Sequence, residues 1–427
     1  MRVYVEGYGC TQNLGEAAAL GRAVEAAGHP LVHDPSAADV GVLVTCGVIG
    51  PTEARMLRRW HGLGDRCPRL IVTGCLVPLR QDLFDGDLAD RTTFLPTRLQ
   101  GTVPSLLDAW AATTPPSAPP PSPSPAPTTV AEEVVVAQGC TSHCTYCFSR
   151  LARGQLASVP PLDVLARIHA ARTHGAREVR LSSLDTSCWG RDLPGPLSLP
   201  DLLESVGALG TDFRARVGMM SPQSLRPIAG RLFPVLSSPP FFRFLHIPVQ
   251  SGSDSVLEGM RRGYAVDDFL ALVREARAQL PDLMLATDVI VGFPTETESD
   301  FEATLRLVET AEPEVVNVTR FSARPLTPAA RLHPLPSGVV KRRSRTLTER
   351  RMLLARRRME RWIGWEGSAL VVEQGPHGSS VARLDNYLPV ALPTQPALGS
   401  FVDVRVDGAR STYLVGRVVS RAVPSPN

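Results

Sequence analysis

Three closely spaced cysteines, Cys140, Cys144 and Cys147, follow a short apolar run and are separated by three and then two residues. Three thiolates at this spacing can bind three irons of a [4Fe–4S] cube and leave the fourth iron without a protein ligand. An open coordination position can bind a small substrate, as it does in catalytic metal sites generally. A zinc knuckle is the alternative, but it needs a fourth ligand, and His143 lies at a spacing unlike the usual zinc patterns. The spacing therefore favours an iron–sulfur cluster.

A second set of cysteines is dispersed over the N-terminal part of the chain. Cys10, Cys46 and Cys75 each directly follow an apolar, β-branched run of the kind expected for a buried parallel strand. Because the carboxyl ends of parallel strands line one edge of a sheet, we expect these thiols to meet in space. Three unrelated buried thiols are the alternative, since free cysteine is often buried. The pattern predicts a second three-cysteine site.

The composition is that of a multidomain intracellular enzyme. The chain has 427 residues, of which 43% are hydrophobic, enough for two or three domain cores. It starts directly with a strand-like run, and no apolar run is long enough to cross a bilayer, so we expect neither a signal peptide nor a membrane span. Eight cysteines in such a chain indicate metal or redox work rather than disulfides. The net charge of +3 is too small to indicate a partner.

The sequence divides into an α/β multidomain arrangement. Residues 1–112 predict a doubly wound α/β domain, and 113–130 is a proline-rich linker that cannot pack a core. Strand-like and helical runs alternate six times over 131–365, which predicts a partial (βα)6 barrel with the cysteine loop after its first strand. Thr297 and Asp300 predict a capping box before one of its helices. Short alternating runs over 366–424 predict a small all-β, OB-like barrel.

A strongly basic segment precedes that last domain. Residues 341–362 contain ten basic and two acidic residues, with apolar residues at helical spacing. A basic helix leading into an OB-like barrel is a suitable surface for a phosphate backbone. A solvated connecting helix is the alternative.

These motifs together resemble the radical S-adenosylmethionine (SAM) tRNA methylthiotransferases from end to end, with a C-terminal TRAM domain. The chain is most similar to the archaeal and eukaryotic branch that acts on N6-threonylcarbamoyladenosine at position 37 of tRNA. The matching stretches include YGCTQN at 8–13, GCTSHCTYCFSRLARGQLAS at 139–158, FLHIPVQSGSDSVLEGMRRGY at 244–264 and TDVIVGFPTETESDF at 287–301. The resemblance implies methylthiolation of C2 of that adenosine, with isopentenyladenosine-37 tRNA or a ribosomal-protein aspartate as alternative substrates. A non-catalytic tRNA-binding or electron-carrier protein is a further alternative, which the six cysteines disfavour.

The resemblance also implies cofactors, partners and site residues. The cluster of Cys140, Cys144 and Cys147 would reduce SAM to give a radical that takes the C2 hydrogen, and a second [4Fe–4S] cluster on the N-terminal cysteines would hold the sulfur. Its other implications are tRNA bound through the anticodon loop, a flavodoxin or ferredoxin as electron donor, a monomer and a cytoplasmic location. The residues expected at SAM are Tyr146, Ser183, Gln250, Gly252, Val291, Gly292 and Phe293.

Six arginines are candidate substrate contacts. Arg153 could meet a SAM carboxylate or a tRNA phosphate, or form a structural ion pair. Arg320 and Arg324, expected at the end of the sixth strand, could bind the carboxylate of the threonylcarbamoyl group. The alternative is that they pair with neighbouring acids such as Glu296 or Asp300. The phosphate-binding candidates in the basic segment are Arg356, Arg357 and Arg358.

Overall fold

The computed structural model of the chain describes residues 1–48, 50–113 and 130–419, which form two compact units. The first unit takes its described residues from Met1–Pro127, Gln138–Ala157 and Ser322–Arg331. The second takes them from Thr128–Ala137, Ser158–Phe321 and Leu332–Asn427. The loop of Cys140, Cys144 and Cys147 therefore belongs to the first unit. Apart from its end positions, the predicted linker at 113–130 lies outside the described residues.

The first unit is built on a parallel four-stranded sheet in the order β1-β2-β3-β4. Its strands are β1 (Val3–Gly7), β2 (Val40–Thr45), β3 (Arg69–Gly74) and β4 (Thr92–Phe94). All six residues of β2 are buried, as the uninterrupted apolar run predicted. The three strand ends predicted to carry cysteines are confirmed.

Helices cover both faces of this sheet. They are α1 (Thr11–Ala26), α2 (Gly50–Gly64), α3 (Val77–Arg80), α4 (Asp87–Asp90) and α5 (Val103–Thr113), with α6 (Phe148–Arg153) following the second cysteine loop. Leu20 and Val24 of α1 pack with Val42 on one face. Met56 and Trp60 of α2 pack on the opposite face. Successive side chains of a strand point to opposite faces, which is why both faces need cover.

The second unit contains six parallel strands that confirm the predicted (βα)6 pattern. The strands are β5 (Ala131–Val135), β8 (Glu178–Ser182), β9 (Arg214–Val217), β10 (Phe244–His246), β11 (Met284–Val291) and β12 (Val315–Arg320). Two short strands, β6 (Ala137–Gln138) and β7 (Ala157–Ser158), lie between β5 and β8 in the sequence. The six parallel strands form two three-stranded sheets, β5-β8-β9 and β10-β11-β12, which a bridge between Ala215 and Phe241 connects.

Helices alternate with these strands. They are α7 (Pro161–Thr173), α8 (Leu199–Gly207), α9 (Pro222–Leu225), α10 (Ala229–Leu236), α11 (Asp254–Gly259), α12 (Val266–Gln279), α13 (Glu298–Ala311) and α14 (Ser337–Glu360). The predicted capping box at α13 is confirmed: the Asp300 carboxylate accepts from the Thr297 N–H at 2.9 Å, and Thr297 Oγ1 accepts from the Asp300 N–H at 3.2 Å. Among the described residues, no helix combines the length and apolarity that a bilayer crossing requires.

The last five strands close into the predicted small barrel, in the order β13-β14-β15-β17-β16. They are β13 (Glu366–Gln374), β14 (Ser380–Leu384), β15 (Pro389–Leu392), β16 (Phe401–Ala409) and β17 (Leu414–Val418). Their apolar side chains share one core with Phe242, Phe244 and Met284 of the larger barrel.

Candidate active site

The N-terminal cysteines lie together at the carboxyl edge of the first sheet. Cys10 follows β1 and is the residue before α1, whereas Cys46 and Cys75 follow β2 and β3. The sulfurs of Cys10 and Cys75 lie 3.9 and 3.8 Å from the same Asn13 Oδ1. A Cβ placed on Gly9 would lie 2.6 Å from the Cys46 sulfur, so glycine is required for this close approach. The sequence prediction that three strand ends bring three thiols together is therefore confirmed.

Two of these thiols, Cys46 and Cys75, are buried. Burial raises the pKa of the Cys75 thiol to about 12, and it also raises the pKa of Cys46. Thiols must lose their protons to bind metal, so metal binding at this site would release protons.

The second triad lies in the loop that leads into α6. The Ser142 N–H donates to the Cys140 sulfur at 3.4 Å, and the Cys147 N–H donates to the Cys144 carbonyl at 3.2 Å. Burial raises the pKa of Cys147 to about 11. The three thiols therefore share one tight loop.

A single metal ion and an iron–sulfur cluster place different demands on the spacing of thiols. In the described part of the chain, no group of three or more His, Cys, Asp or Glu side chains is arranged to hold a single metal ion. In a [4Fe–4S] cube each thiolate binds a different iron, which spaces the sulfurs more widely. Each set has the three thiols that a cube with one open iron needs, and cluster binding by the N-terminal set stays a prediction.

Arg153 is buried among partners from the N-terminal helix rather than exposed to tRNA. Its side chain is 0% exposed and forms an ion pair with Glu16. It also donates to Gln138 at 2.8 Å and hydrogen-bonds Asn13, the residue beside the Cys10 and Cys75 sulfurs. These bonds place this cation at the N-terminal triad. Of the three roles expected for Arg153, the structure shows the ion pair.

Arg324 is also held in an ion pair, but with a partner that was not expected. Its side chain is 4% exposed and forms an ion pair with Glu53. Its guanidinium carbon lies 4.6 Å from the ring centre of Phe148. The predicted neighbours Glu296 and Asp300 instead bond to other groups. Arg320, at the end of β12, is exposed and has no ion pair within the described residues. The expectation that both arginines lie at the end of the sixth strand is wrong for Arg324.

The residues predicted to contact SAM in the second unit have structural reasons for their identity. Val291 and Phe293 are 0% exposed. Gly252 packs so closely on α13 that a Cβ would lie 2.5 Å from the Thr304 Cα, and Gly292 adopts a positive φ of 79°. Gln250 is buried with a φ of 72°.

Ser183 and Tyr146 are the two other residues predicted to contact SAM. Ser183 is buried after β8 and accepts from the Asp185 N–H at 3.2 Å. Tyr146 is half-buried within the cysteine loop of the first unit. Contact of the whole set with SAM stays a prediction.

The basic segment forms α14, but its arginines are not equivalent. Arg358 is 9% exposed and pairs with Glu314 at 2.5 Å. Arg356 is exposed and pairs with Glu360 at 2.8 Å, and Arg357 is exposed without an ion pair among the described residues. Phosphate binding by Arg358 stays a prediction, and its ion pair inside the unit gives that prediction no support.

Sequence reasoning missed a row of polar side chains on one face of the larger barrel. Glu133, Arg180 and Arg216 are Cα partners on the adjacent strands β5, β8 and β9. The alternate residues Leu181 and Val217 are 1% exposed. Charged residues alternating with apolar ones inside predicted strands were the available signal.

The row continues on the other three strands. His246 Nε2 lies 2.9 Å from Asp288 Oδ1, and Asn317 also donates to that oxygen. These three residues lie on the adjacent strands β10, β11 and β12. Polar groups from all six strands therefore line this face of the barrel.

A cleft of about 790 Å³ lies in the first unit beside Arg153. Its lining residues come from α3, which follows Cys75, from the loop at 96–98 and from the segment 151–157 that follows the second triad. Polar groups there include Gln81, Thr97 and Gln155. The cleft therefore adjoins segments that follow both cysteine sites.

Comparisons with known proteins agree with this organisation. Residues 134–308 match the radical SAM superfamily, 2–90 match the uncharacterized protein family UPF0004, and 363–419 match the TRAM domain. A probable threonylcarbamoyladenosine tRNA methylthiotransferase of Pyrococcus abyssi is 35% identical over 98% of this chain and 100% of its own length. This chain belongs to the threonylcarbamoyladenosine tRNA methylthiotransferase family. A Danio rerio member is 31% identical over 99% of this chain and 79% of its own length.

Solved structures support the fold of this methylthiotransferase family member. The radical SAM methyltransferase TsrM from Kitasatospora setae aligns with a TM-score of 0.56 at 12% identity, over 77% of this chain and 76% of its own. At that identity the likeness shows the fold alone.

Proposed function

We propose that this chain is a radical-SAM enzyme that transfers a methylthio group to C2 of N6-threonylcarbamoyladenosine at position 37 of tRNA. The observation that carries the proposal is the similarity, over nearly the whole chain, to archaeal and animal proteins of that name. Those relatives give no support to isopentenyladenosine or a ribosomal-protein aspartate as the substrate. Position 37 lies in the single-stranded anticodon loop, where a base can be turned out at modest cost.

The radical SAM superfamily implies SAM and one [4Fe–4S] cluster, for which Cys140, Cys144 and Cys147 are the ligands we assign. When bound, this cluster would supply the electron that cleaves SAM, because the C2–H bond is too strong for a protein base to break. We assign a second cluster, which would hold the sulfur to be transferred, to the N-terminal triad. Its support is the convergence of three thiols at one sheet edge.

The tRNA surface is proposed to be α14 together with the small barrel. The cations of α14 and of the residue after it that are exposed and have no ion pair among the described residues are Lys341, Arg345, Arg357 and Arg361. They replace Arg358 as the phosphate contacts. A flavodoxin or ferredoxin as electron donor, a monomeric state and a cytoplasmic location remain part of the proposal as the family resemblance implies them.

Anaerobic reconstitution tests the cofactors. The wild type should hold roughly eight irons per chain, and alanine at all three positions 140, 144 and 147 should leave about four. A wild type that saturates at about four irons would refute the second cluster. The triple variant controls for iron bound outside the two triads.

Mass spectrometry of tRNA nucleosides tests the substrate. The reconstituted enzyme, with SAM, a sulfide source and dithionite, should methylthiolate tRNA that carries threonylcarbamoyladenosine. Unmodified tRNA and tRNA with isopentenyladenosine should react poorly. Equal or faster reaction of the isopentenyl tRNA would refute the substrate while leaving the chemistry intact.

A further inference from the structure

Within the larger barrel, Arg216 forms no ion pair among the described residues, and only its longer-range attraction reaches the Glu133 carboxylate. Its neighbour Arg180 pairs with Glu133 at 3.2 Å and also with Glu178, and Arg214 pairs with Asp385 at 3.0 Å. Arg216 forms no such pair there, and its Nε is buried without a hydrogen-bond partner. A buried donor left unpaired costs free energy, so an acceptor brought by a ligand would be stabilising at this guanidinium.

The guanidinium is held in place by aromatic rings. Its central carbon lies 4.9 Å from the ring centre of Phe244 and 5.1 Å from that of Tyr387. Stacking of this kind fixes the plane of a guanidinium and leaves its edge free to donate. The planar fork suits a carboxylate, which it can bind through two parallel hydrogen bonds.

The surrounding charges also leave room for an anion. Arg216 and Arg383 stack on the Tyr387 ring, and the Glu178 carboxylate accepts from its hydroxyl. Arg180 pairs with Glu178 and also with Glu133, so the connected group has three guanidinium groups and two carboxylates. This group carries a net positive charge when both acids are ionised. One further carboxylate would balance it.

We propose that Arg216 binds the carboxylate of the N6-threonylcarbamoyl group of the substrate and thereby sets its specificity. This inference rests on the proposed function. The Arg216 guanidinium, although its backbone aligns with Phe242, stacks on the ring of Phe244. His246 follows Phe244 two residues further along β10, about 6.6 Å closer to the carboxyl edge. Barrel enzymes react at that edge. The substituent reaches roughly 5 Å from N6 to its carboxylate carbon, which matches one layer of depth.

The experiment crosses a protein change with a substrate change. Anticodon stem-loops carry threonylcarbamoyladenosine either with the free carboxylate or as its methyl ester, and kcat/KM for methylthiolation is measured by mass spectrometry. The wild type should prefer the acid by roughly 10- to 100-fold, as expected for a charged hydrogen-bonded pair. Arg216→Gln should lower kcat/KM for the acid by that factor and leave kcat/KM for the ester unchanged, so that the two substrates react alike. Arg216→Lys, which keeps the charge, should retain part of the preference.

Arg177, whose side chain is 41% exposed and pairs with Asp212 at 2.9 Å, provides the matched control, and Arg177→Gln should keep the full preference. Melting curves report whether each variant is folded. If Arg216→Gln slows acid and ester equally, or keeps the preference for the acid, the proposed contact is wrong. A wild type that methylthiolates neither stem-loop would instead refute the proposed function, and this contact with it.

Discussion

The ion pair of Arg358 gives the sharpest prediction about stability. The side chains of Arg358 and Glu314 are 9% and 3% exposed, and Arg358 Nη2 and Nε lie 2.5 and 2.6 Å from Glu314 Oε1. Glu314 also accepts a hydrogen bond from the Leu285 N–H at 2.8 Å. Arg358→Met removes the cation and leaves a buried carboxylate with one backbone donor. Breaking a buried pair in this way costs about 3–5 kcal/mol. For a domain of this size that corresponds to a melting temperature lower by roughly 10 °C.

The assay is thermal unfolding followed by circular dichroism. Arg357→Met, one residue earlier on α14, removes an exposed cation without an ion pair among the described residues and should stay within about 0.5 kcal/mol of the wild type. Combining Arg358→Met with Glu314→Gln should recover much of the loss, because no buried charge is then left unpaired. If Arg358→Met has the same melting temperature as Arg357→Met, the Arg358–Glu314 ion pair does not hold α14 in place. Arg358 would then again be a candidate for phosphate binding.

Three other predictions follow from the described side chains. Arg153→Met should lower the iron content from about eight to about four per chain by disabling the N-terminal triad, whereas Arg22→Met on the exposed face of α1 should not. Burial raises the pKa of Glu133 from 4.5 to about 7, so protonation favours the folded state. The free energy of unfolding should therefore gain a component that falls as pH rises through this range, and Glu133→Gln should abolish it. Replacing Arg345 and Arg357 by glutamine should flatten the dependence of log tRNA affinity on log salt by roughly 0.7–0.9 for each phosphate that is no longer neutralised; an unchanged slope would make α14 a solvated connector.

The sequence was sufficient to predict the main helices and strands and the convergence of the N-terminal thiols. Period-two and continuous apolar runs located the six barrel strands, since burial on one or both faces leaves a direct pattern. The capping box at Thr297 was readable because both of its partners lie within one helical turn. Cys10, Cys46 and Cys75 were readable as one site because parallel strands end at a common edge.

The partners of the arginines could not be predicted in the same way. Arg324 pairs with Glu53, which lies 271 positions away in the sequence, and Arg153 meets Glu16 across 137 positions. No periodicity links residues so far apart, so local patterns favoured nearby acids instead. The ion pair of Arg358 was unexpected for another reason. A run of arginines on a helix suggests one charged surface, whereas helical geometry turns every third or fourth residue inward.

These long-range ion pairs bear on how two cysteine sites can serve one reaction. The loop of the second triad continues into α6, whose Arg153 is bound to Glu16 and Asn13 of α1, the helix that starts directly after Cys10. Phe148, at the start of α6, is covered by Arg324. Both triads therefore belong to one compact unit. Because breaking a buried ion pair costs several kcal/mol, the spacing of the two sites is set by packing rather than by a hinge. In the proposed reaction, a sulfur donor and a radical source would act on the same C2 atom and would need such a fixed spacing.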